Sequence, residues 1–152
     1  GASIGQATRF VVGCALSLTP ANPERELKLL RKKVRNGADF ALTQPIFDPA
    51  AARAFVDRYE AETGEPMLPL IAGVKPLYNG RNAAFLHNEV PGIQIPAEMR
   101  RRMDEAADPQ QEGVAIAQEI LQEIRPFVQG AYLMPAFGRY DLVADVLDIL
   151  GD

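Results

Sequence analysis

Apolar residues along this chain come in two rhythms: short unbroken runs, and runs that recur every three or four positions. Phe10 to Leu16 (Phe-Val-Val-Gly-Cys-Ala-Leu) is nearly continuous, as a strand covered on both faces would be. Pro23-Glu24 then opens a helix, with Asn22 as N-cap and acid in the first turn. Leu27, Leu30 and Val34 recur at helical spacing until Gly37 stops the helix. Phe40 to Thr43 is a second strand. A second helix starts from Asp48, with Pro49 in its first position and Ala52, Phe55, Val56 and Tyr59 as its stripe, and ends at Gly64.

The same alternation continues. Met67 to Val74 predicts a third strand, and Asn79 to Asn88 a shorter helix. Gly92 to Ile95 is a brief strand-like run ended by Pro96, where another helix begins, and Asp108-Pro109 breaks the chain again. From Glu112 to Val128 a long helix is defined by Ala117, Ile120, Leu121, Ile124 and Val128, with Pro126 close to its end, where a proline costs least. Ala131 to Met134 is the last clear strand. A final helix from about Tyr140 to Leu150 carries Val143, Val146, Leu147 and Leu150. Strands alternating with helices predict βα units and a parallel sheet. Four substantial strands are too few for a closed eight-stranded barrel, which takes about 250 residues. They suit an open sheet or half a barrel. With no internal repeat, low-complexity segment or dividing linker, residues 1–152 read as one domain.

Composition narrows the function classes. The formal charge is 16 − 20 = −4, which suggests no nucleic-acid-binding surface. A single cysteine, Cys14, excludes internal disulfides and a cysteine-rich zinc site, and its apolar setting predicts a small buried hydrophobe. No apolar stretch approaches the roughly 20 residues that cross a bilayer. There is no secretory signal, so a soluble, cytoplasmic protein is expected. The opening Gly1-Ala2-Ser3, without methionine, suggests a processed product or a piece of a longer chain.

The candidate chemistry begins at Gly37-Ala-Asp-Phe-Ala-Leu-Thr-Gln-Pro-Ile-Phe-Asp48, where a short strand delivers Thr43 and Gln44 at its carboxyl end. In parallel α/β proteins the βα loops converge there and chemistry is placed there. A glutamine amide donates and accepts, so Gln44 can read a heterocycle's mixed hydrogen-bonding edge, or else cap a loop. Glu26 and Lys33, seven apart, share one side of the first helix. A carboxylate can hold hydroxyls while an ammonium faces phosphate. Alternatively the pair belongs with Arg25, Lys28, Arg31, Lys32 and Arg35 to a solvated charged face. Arg139, just past the last strand, suits an anionic ligand tail or a salt bridge closing the loop. His87, the lone histidine, has no partners at triad or metal spacing and reads as structural, and Arg100-Arg101-Arg102 as an exposed helix face. No glycosidase-type carboxylate pair, dinucleotide fingerprint or P-loop is identifiable.

Several of these stretches resemble one family in the correct order. Residues 37–48, Leu70-Ile-Ala-Gly-Val-Lys-Pro76, His87-Asn-Glu-Val-Pro-Gly-Ile-Gln-Ile-Pro96 and Gln129-Gly-Ala-Tyr-Leu-Met-Pro-Ala-Phe-Gly-Arg-Tyr140 resemble methylenetetrahydrofolate reductases. The last looks closest to bacterial proteins that fuse a homocysteine methyltransferase to this reductase. The resemblance runs from about Phe10 to the end and implies strands five to eight, the second half, of an FAD-carrying TIM-type (β/α)8 barrel. It implies that NAD(P)H passes hydride to the flavin, which then reduces methylenetetrahydrofolate to methyltetrahydrofolate.

Carried over by the same resemblance, Gln44 matches the glutamine that hydrogen-bonds the pterin, and Arg139 an arginine that helps hold the folate. Lys33 and Glu26 match a lysine and an acid that hold FAD, aspartate being the usual acid. Ser17 falls where a flavin-contacting tyrosine or asparagine is seen. Leu86 stands where an aromatic in some members packs on folate or nicotinamide. The family's general acid and much of its FAD site belong to the first four strands. The implied partners are therefore that N-terminal half of the barrel or a second copy pairing the free sheet edges. The alternatives are a half barrel that binds flavin or folate weakly, a non-catalytic self-associating fragment, or an unrelated barrel. The last would need a phosphate-binding loop after the final strand and is disfavoured because Pro135 to Gly138 has only one glycine.

Overall fold

Asparagine or aspartate, placed just ahead of an apolar stripe, starts most of the long helices. In the structure, a computed structural model describing Gly5 and residues 9–150, Asn22 Oδ1 accepts from the Arg25 amide at 3.0 Å, opening α1 (Pro23–Arg35). Asp48 does the same for α2 (Pro49–Thr63), Asn79 for α3 (Gly80–Glu89) and Asp108 for α5 (Pro109–Ile124). Each such cap contributes about 1 kcal/mol by satisfying an amide that the helix leaves unpaired. Gly64, left-handed at φ 70°, closes α2. The remaining helices are α4 (Ala97–Glu105) and α6 (Tyr140–Leu147).

Four strands, β1 (Gly13–Leu16), β2 (Phe40–Pro45), β3 (Leu70–Val74) and β4 (Gly130–Leu133), form one sheet in the order β1-β2-β3-β4, every pair parallel. Right-handed crossovers between sequential neighbours put their helices on one face. Burial follows that rule. Ala41, Thr43 and Pro45 of β2 are buried beneath the helices, while Leu42, 42 % exposed, and Gln44 lie on the uncovered face. The core sits between sheet and helices and is built on Leu16, Leu27, Leu30, Phe55, Leu70, Val74, Ile116 and Ile120. Burying such side chains contributes about 1.5–3 kcal/mol each.

Several boundaries differ from the sequence expectation. Phe10, Val11 and Val12 precede β1 and are exposed, Phe10 by 80 %, because β1 is an edge strand with one face uncovered. Gly92–Ile95 forms no strand. Ile93 and Ile95 are buried as a loop, held where the Ile95 amide donates to His87 Nδ1 at 3.1 Å. The long helix begins at Pro109 and gives way to a 3-10 turn, Arg125–Phe127, that takes up Pro126. On α6 the buried positions are Leu142 and Val146, whereas Leu147 is exposed; the side chain of Leu150, like residues 1–4, lies outside the described residues. Cys14 is only half-buried, though burial still pushes its thiol pKa up.

Arg102 departs from the expected exposed face. Its guanidinium reaches Glu112 at 2.6 Å and Glu119 at 2.7 Å, clamping α4 to α5. Helix α5 is seated on the loop after β3 through Gly113, where an added Cβ would come within 1.8 Å of the Leu77 carbonyl oxygen. That loop belongs to the carboxyl edge of the sheet.

Candidate functional site

At the end of β2 the pairing with β3 slips between Leu42 and Pro45. Thr43, 1 % exposed, fills the slip: its hydroxyl accepts from the Gly73 amide at 2.9 Å and donates to the Gln44 carbonyl at 2.8 Å. A side chain thus stands in for a missing backbone acceptor, so no buried amide is orphaned. The freed Thr43 carbonyl accepts from the Tyr132 hydroxyl at 2.6 Å. Tyr132 reaches it across Gly73, where a Cβ would come within 3.0 Å of the Tyr132 oxygen, the Met134 methyl and the Thr43 carbonyl oxygen. A side chain at this position would press on all three atoms. Gln44 is left on the uncovered face, and its amide makes no hydrogen bond to any described residue.

At the end of β1 the structure brings Glu26, Lys33 and Ser17 together. Lys33 Nζ lies 2.7 Å from the Ala15 carbonyl oxygen and 3.5 Å from Glu26 Oε1, which also accepts from the Ser17 amide at 3.5 Å. Among the described residues the Ser17 hydroxyl oxygen is buried without a partner. The charge run of α1 therefore divides: Arg25, Lys28, Lys32 and Arg35 are exposed, while Glu26 and Lys33 turn to the strand. A carboxylate, an ammonium and an unsatisfied hydroxyl at one strand end form a set that can hold a hydroxylated, phosphate-bearing group.

Beyond β3 and β4 the loops border an open pocket of about 480 Å³ lined by Tyr78, Asn79, Arg81, Asn82, Phe85 and Phe137. Tyr78 and Phe137 meet edge to face with centroids 5.2 Å apart. Phe137 is left-handed at φ 51°, a strained conformation for a bulky residue. Arg139 stands at the start of α6, its Nε 2.9 Å from Asp141 Oδ1 and its Nη1 2.5 Å from Gln110 Oε1. The Asp141 carboxylate, with a smaller contribution from Tyr78, pushes the Arg139 pKa further up. Leu86 does not line this pocket. It is 7 % exposed and packed in the core, because α3 turns that side inward and presents its neighbour Phe85 to the opening. Sequence reading passed over Tyr78, Phe85 and Phe137; aromatics in the segments that follow strand ends were the available signal. His87 braces a loop. Among the described residues no cluster of three or more metal-ligating side chains occurs, and no helix is long and apolar enough to cross a membrane.

The parallel strands thus carry polar groups at one edge: Ser17, Glu26 and Lys33 at β1, Gln44 at β2, and Arg139 after β4. The family model for methylenetetrahydrofolate reductase matches residues 9–137. The chain belongs to the methylenetetrahydrofolate reductase family. Arg139 lies just past the matched span. No curated protein matches the chain in sequence. Among solved structures, it is similar to an uncharacterized protein from Clostridium thermocellum that binds two copies of 5-methyl-5,6,7,8-tetrahydrofolic acid. The TM-score is 0.67 at 19% identity, covering 91% of this chain and 52% of that one. The likeness is one of fold, and this methylenetetrahydrofolate reductase family chain spans about half the length of that protein.

Proposed function

We propose that this chain supplies strands five to eight of a (β/α)8 barrel in a reductase that converts 5,10-methylenetetrahydrofolate to 5-methyltetrahydrofolate with NAD(P)H. The observation that carries the reading is the sheet itself. Its sequential parallel order leaves one face uncovered, and Gln44, the polar residue of the family motif, stands on that face at the carboxyl edge with its amide unpartnered. The family match and the half-length likeness to a folate-binding protein support it. The parent would be a longer protein, of the kind that fuses a homocysteine methyltransferase to this reductase, working in the cytoplasm.

In this reading Gln44 donates to and accepts from the pterin, and Arg139, held in place by Asp141, meets the folate's anionic portion. The unpartnered Ser17 hydroxyl, with Glu26 and Lys33, fits the ribityl and phosphate part of FAD. When bound, FAD supplies the hydride relay between nicotinamide and folate. The chain's own part is to bind and orient, because the general acid belongs to the first four strands of the family barrel.

A second reading, a non-catalytic half barrel that binds flavin or folate weakly or self-associates, draws on the exposed Phe10-Val11-Val12 and on β1 as an edge strand. One experiment separates the two. The purified chain is mixed with FAD and passed through gel filtration, alone and with the N-terminal half of a family barrel. Co-eluting yellow flavin that Lys33→Ala diminishes, with reductase activity restored in trans, is the expected result. A colourless dimer unaffected by the added half would overturn the enzymatic reading.

A further inference from the structure

Lys75 is the first residue after β3, and the pairing there is intact. Val74 is in register with Leu133, and its carbonyl accepts from the Met134 amide at 2.9 Å. Alternation along a strand therefore puts Lys75 on the same face as Ile71 and Gly73. That is the face occupied by Tyr132 and Met134 over Gly73, and by Gln44 on the neighbouring strand.

Lys75 is partly buried, yet among the described residues it has no hydrogen bond and no ion pair. Ion-paired cations elsewhere show the contrast: Lys33 has Glu26 and Ala15, Arg102 has two glutamates, and Arg139 has Asp141. Burial alone lowers the Lys75 pKa, with no carboxylate or second cation contributing from any element. Withdrawing an ammonium from water without a partner costs stability, and such a cost persists at sites where a ligand supplies the partner.

We propose that Lys75 is a further binding residue of this face, its ammonium donating to the carbonyl-bearing edge of the same pterin-type heterocycle that Gln44 holds. The inference rests on the folate reading above and adds to it a specificity determinant. Adjacent strands lie about 4.8 Å apart, so an amide on β2 and an ammonium just past β3 together span one fused-ring heterocycle. Gly73, Tyr132 and Met134 lie between them as an apolar floor. The anionic tail of a folate lies elsewhere, toward Arg139. A lysine in this position favours a ring edge that presents an oxygen acceptor and disfavours one that presents only donors.

The test is calorimetric titration of the chain with 5-methyltetrahydrofolate, with 6-methyltetrahydropterin (head alone) and with p-aminobenzoylglutamate (tail alone). The proteins are wild type, Lys75→Met, Lys75→Gln and Gln44→Ala; Lys75→Gln serves should Lys75→Met fail to fold. Expected is a loss of about tenfold or more in affinity for both head-bearing ligands on replacing Lys75, with tail binding unchanged. Wild-type affinity should also fall as the pH is raised through the lysine's lowered pKa, while the Lys75 variants stay flat. Unchanged affinity in the Lys75 variants, or a loss confined to the tail fragment, overturns the Lys75 assignment. A wild-type chain that binds none of the three overturns the folate reading with it, whereas loss in Gln44→Ala alone leaves that reading standing and removes only Lys75.

Discussion

Replacing Thr43 by valine tests whether one side chain organises the end of β2. Valine keeps the shape and removes the hydroxyl, which accepts from Gly73 at 2.9 Å and donates to the Gln44 carbonyl at 2.8 Å. The site is 1 % exposed, so no water replaces either bond. A buried amide left unpaired costs about 1–3 kcal/mol, and the second lost bond about 0.5–1.5 kcal/mol. The added methyl offsets about 1 kcal/mol by apolar burial. The net loss is about 1–3 kcal/mol, which at about 2–4 °C per kcal/mol for a domain of this size lowers Tm by roughly 2–12 °C. Urea unfolding of wild type, Thr43→Val and Thr43→Ser measures it. Serine keeps the hydroxyl and loses only the methyl, so its variant should show faster exchange of no amide in particular, whereas valine should deprotect Gly73. Equal stability of the valine variant with an unchanged m-value, and full protection of the Gly73 amide, would refute this reasoning.

Three further outcomes follow from the packing and electrostatics. Gly113→Ala should destabilise by about 1–3 kcal/mol despite alanine's higher helix propensity, because its Cβ would meet the Leu77 backbone at 1.8 Å; denaturant unfolding that shows a gain would remove the close seat of α5. Hydrogen bonding from Arg102 holds the Glu119 carboxyl below its usual range, so the stability it adds is present above the unfolded value near 4.3 and is lost as pH falls through the lowered folded value. Arg102→Met should therefore flatten the acid side of the stability profile, and parallel profiles would contradict the clamp. Lys75, lowered by burial, imposes a cost that is full at neutral pH and is relieved as pH rises toward the unfolded value near 10.4. Lys75→Met should raise Tm at pH 7, by an amount that shrinks toward pH 10.5, and a lowered Tm would show that the ammonium has a partner in the fold.

The repeating βα architecture was legible because caps and stripes agree: Asn22, Asp48, Asn79 and Asp108 each stand before an apolar period, and each caps a helix in the structure. Phe10–Val12 misled because an apolar run signals burial in a closed sheet, and β1 lies at an edge. Gly92–Ile95 misled because alternating apolar residues also fill a loop when a side chain such as His87 takes the amide. The β1 cluster was legible through helical spacing, since seven residues return Glu26 and Lys33 to one side. Periodicity carried no trace of the Thr43 bridge, which depends on a register slip between two strands, or of the aromatic pocket, which depends on a left-handed Phe137. Leu86 was placed by its position in a motif, and in the structure it lies on the buried side of α3.

The most direct test of the central claim is calorimetric titration of 5-methyltetrahydrofolate into the wild-type chain and Gln44→Ala. Among the described residues the Gln44 amide has no partner on the uncovered face, and a lost pair of hydrogen bonds is worth about 1–3 kcal/mol. Saturable binding by wild type, weakened about 10- to 100-fold by Gln44→Ala with Tm unchanged, is the predicted result. Binding that is absent, or identical in the two proteins, would contradict a folate site at the end of β2.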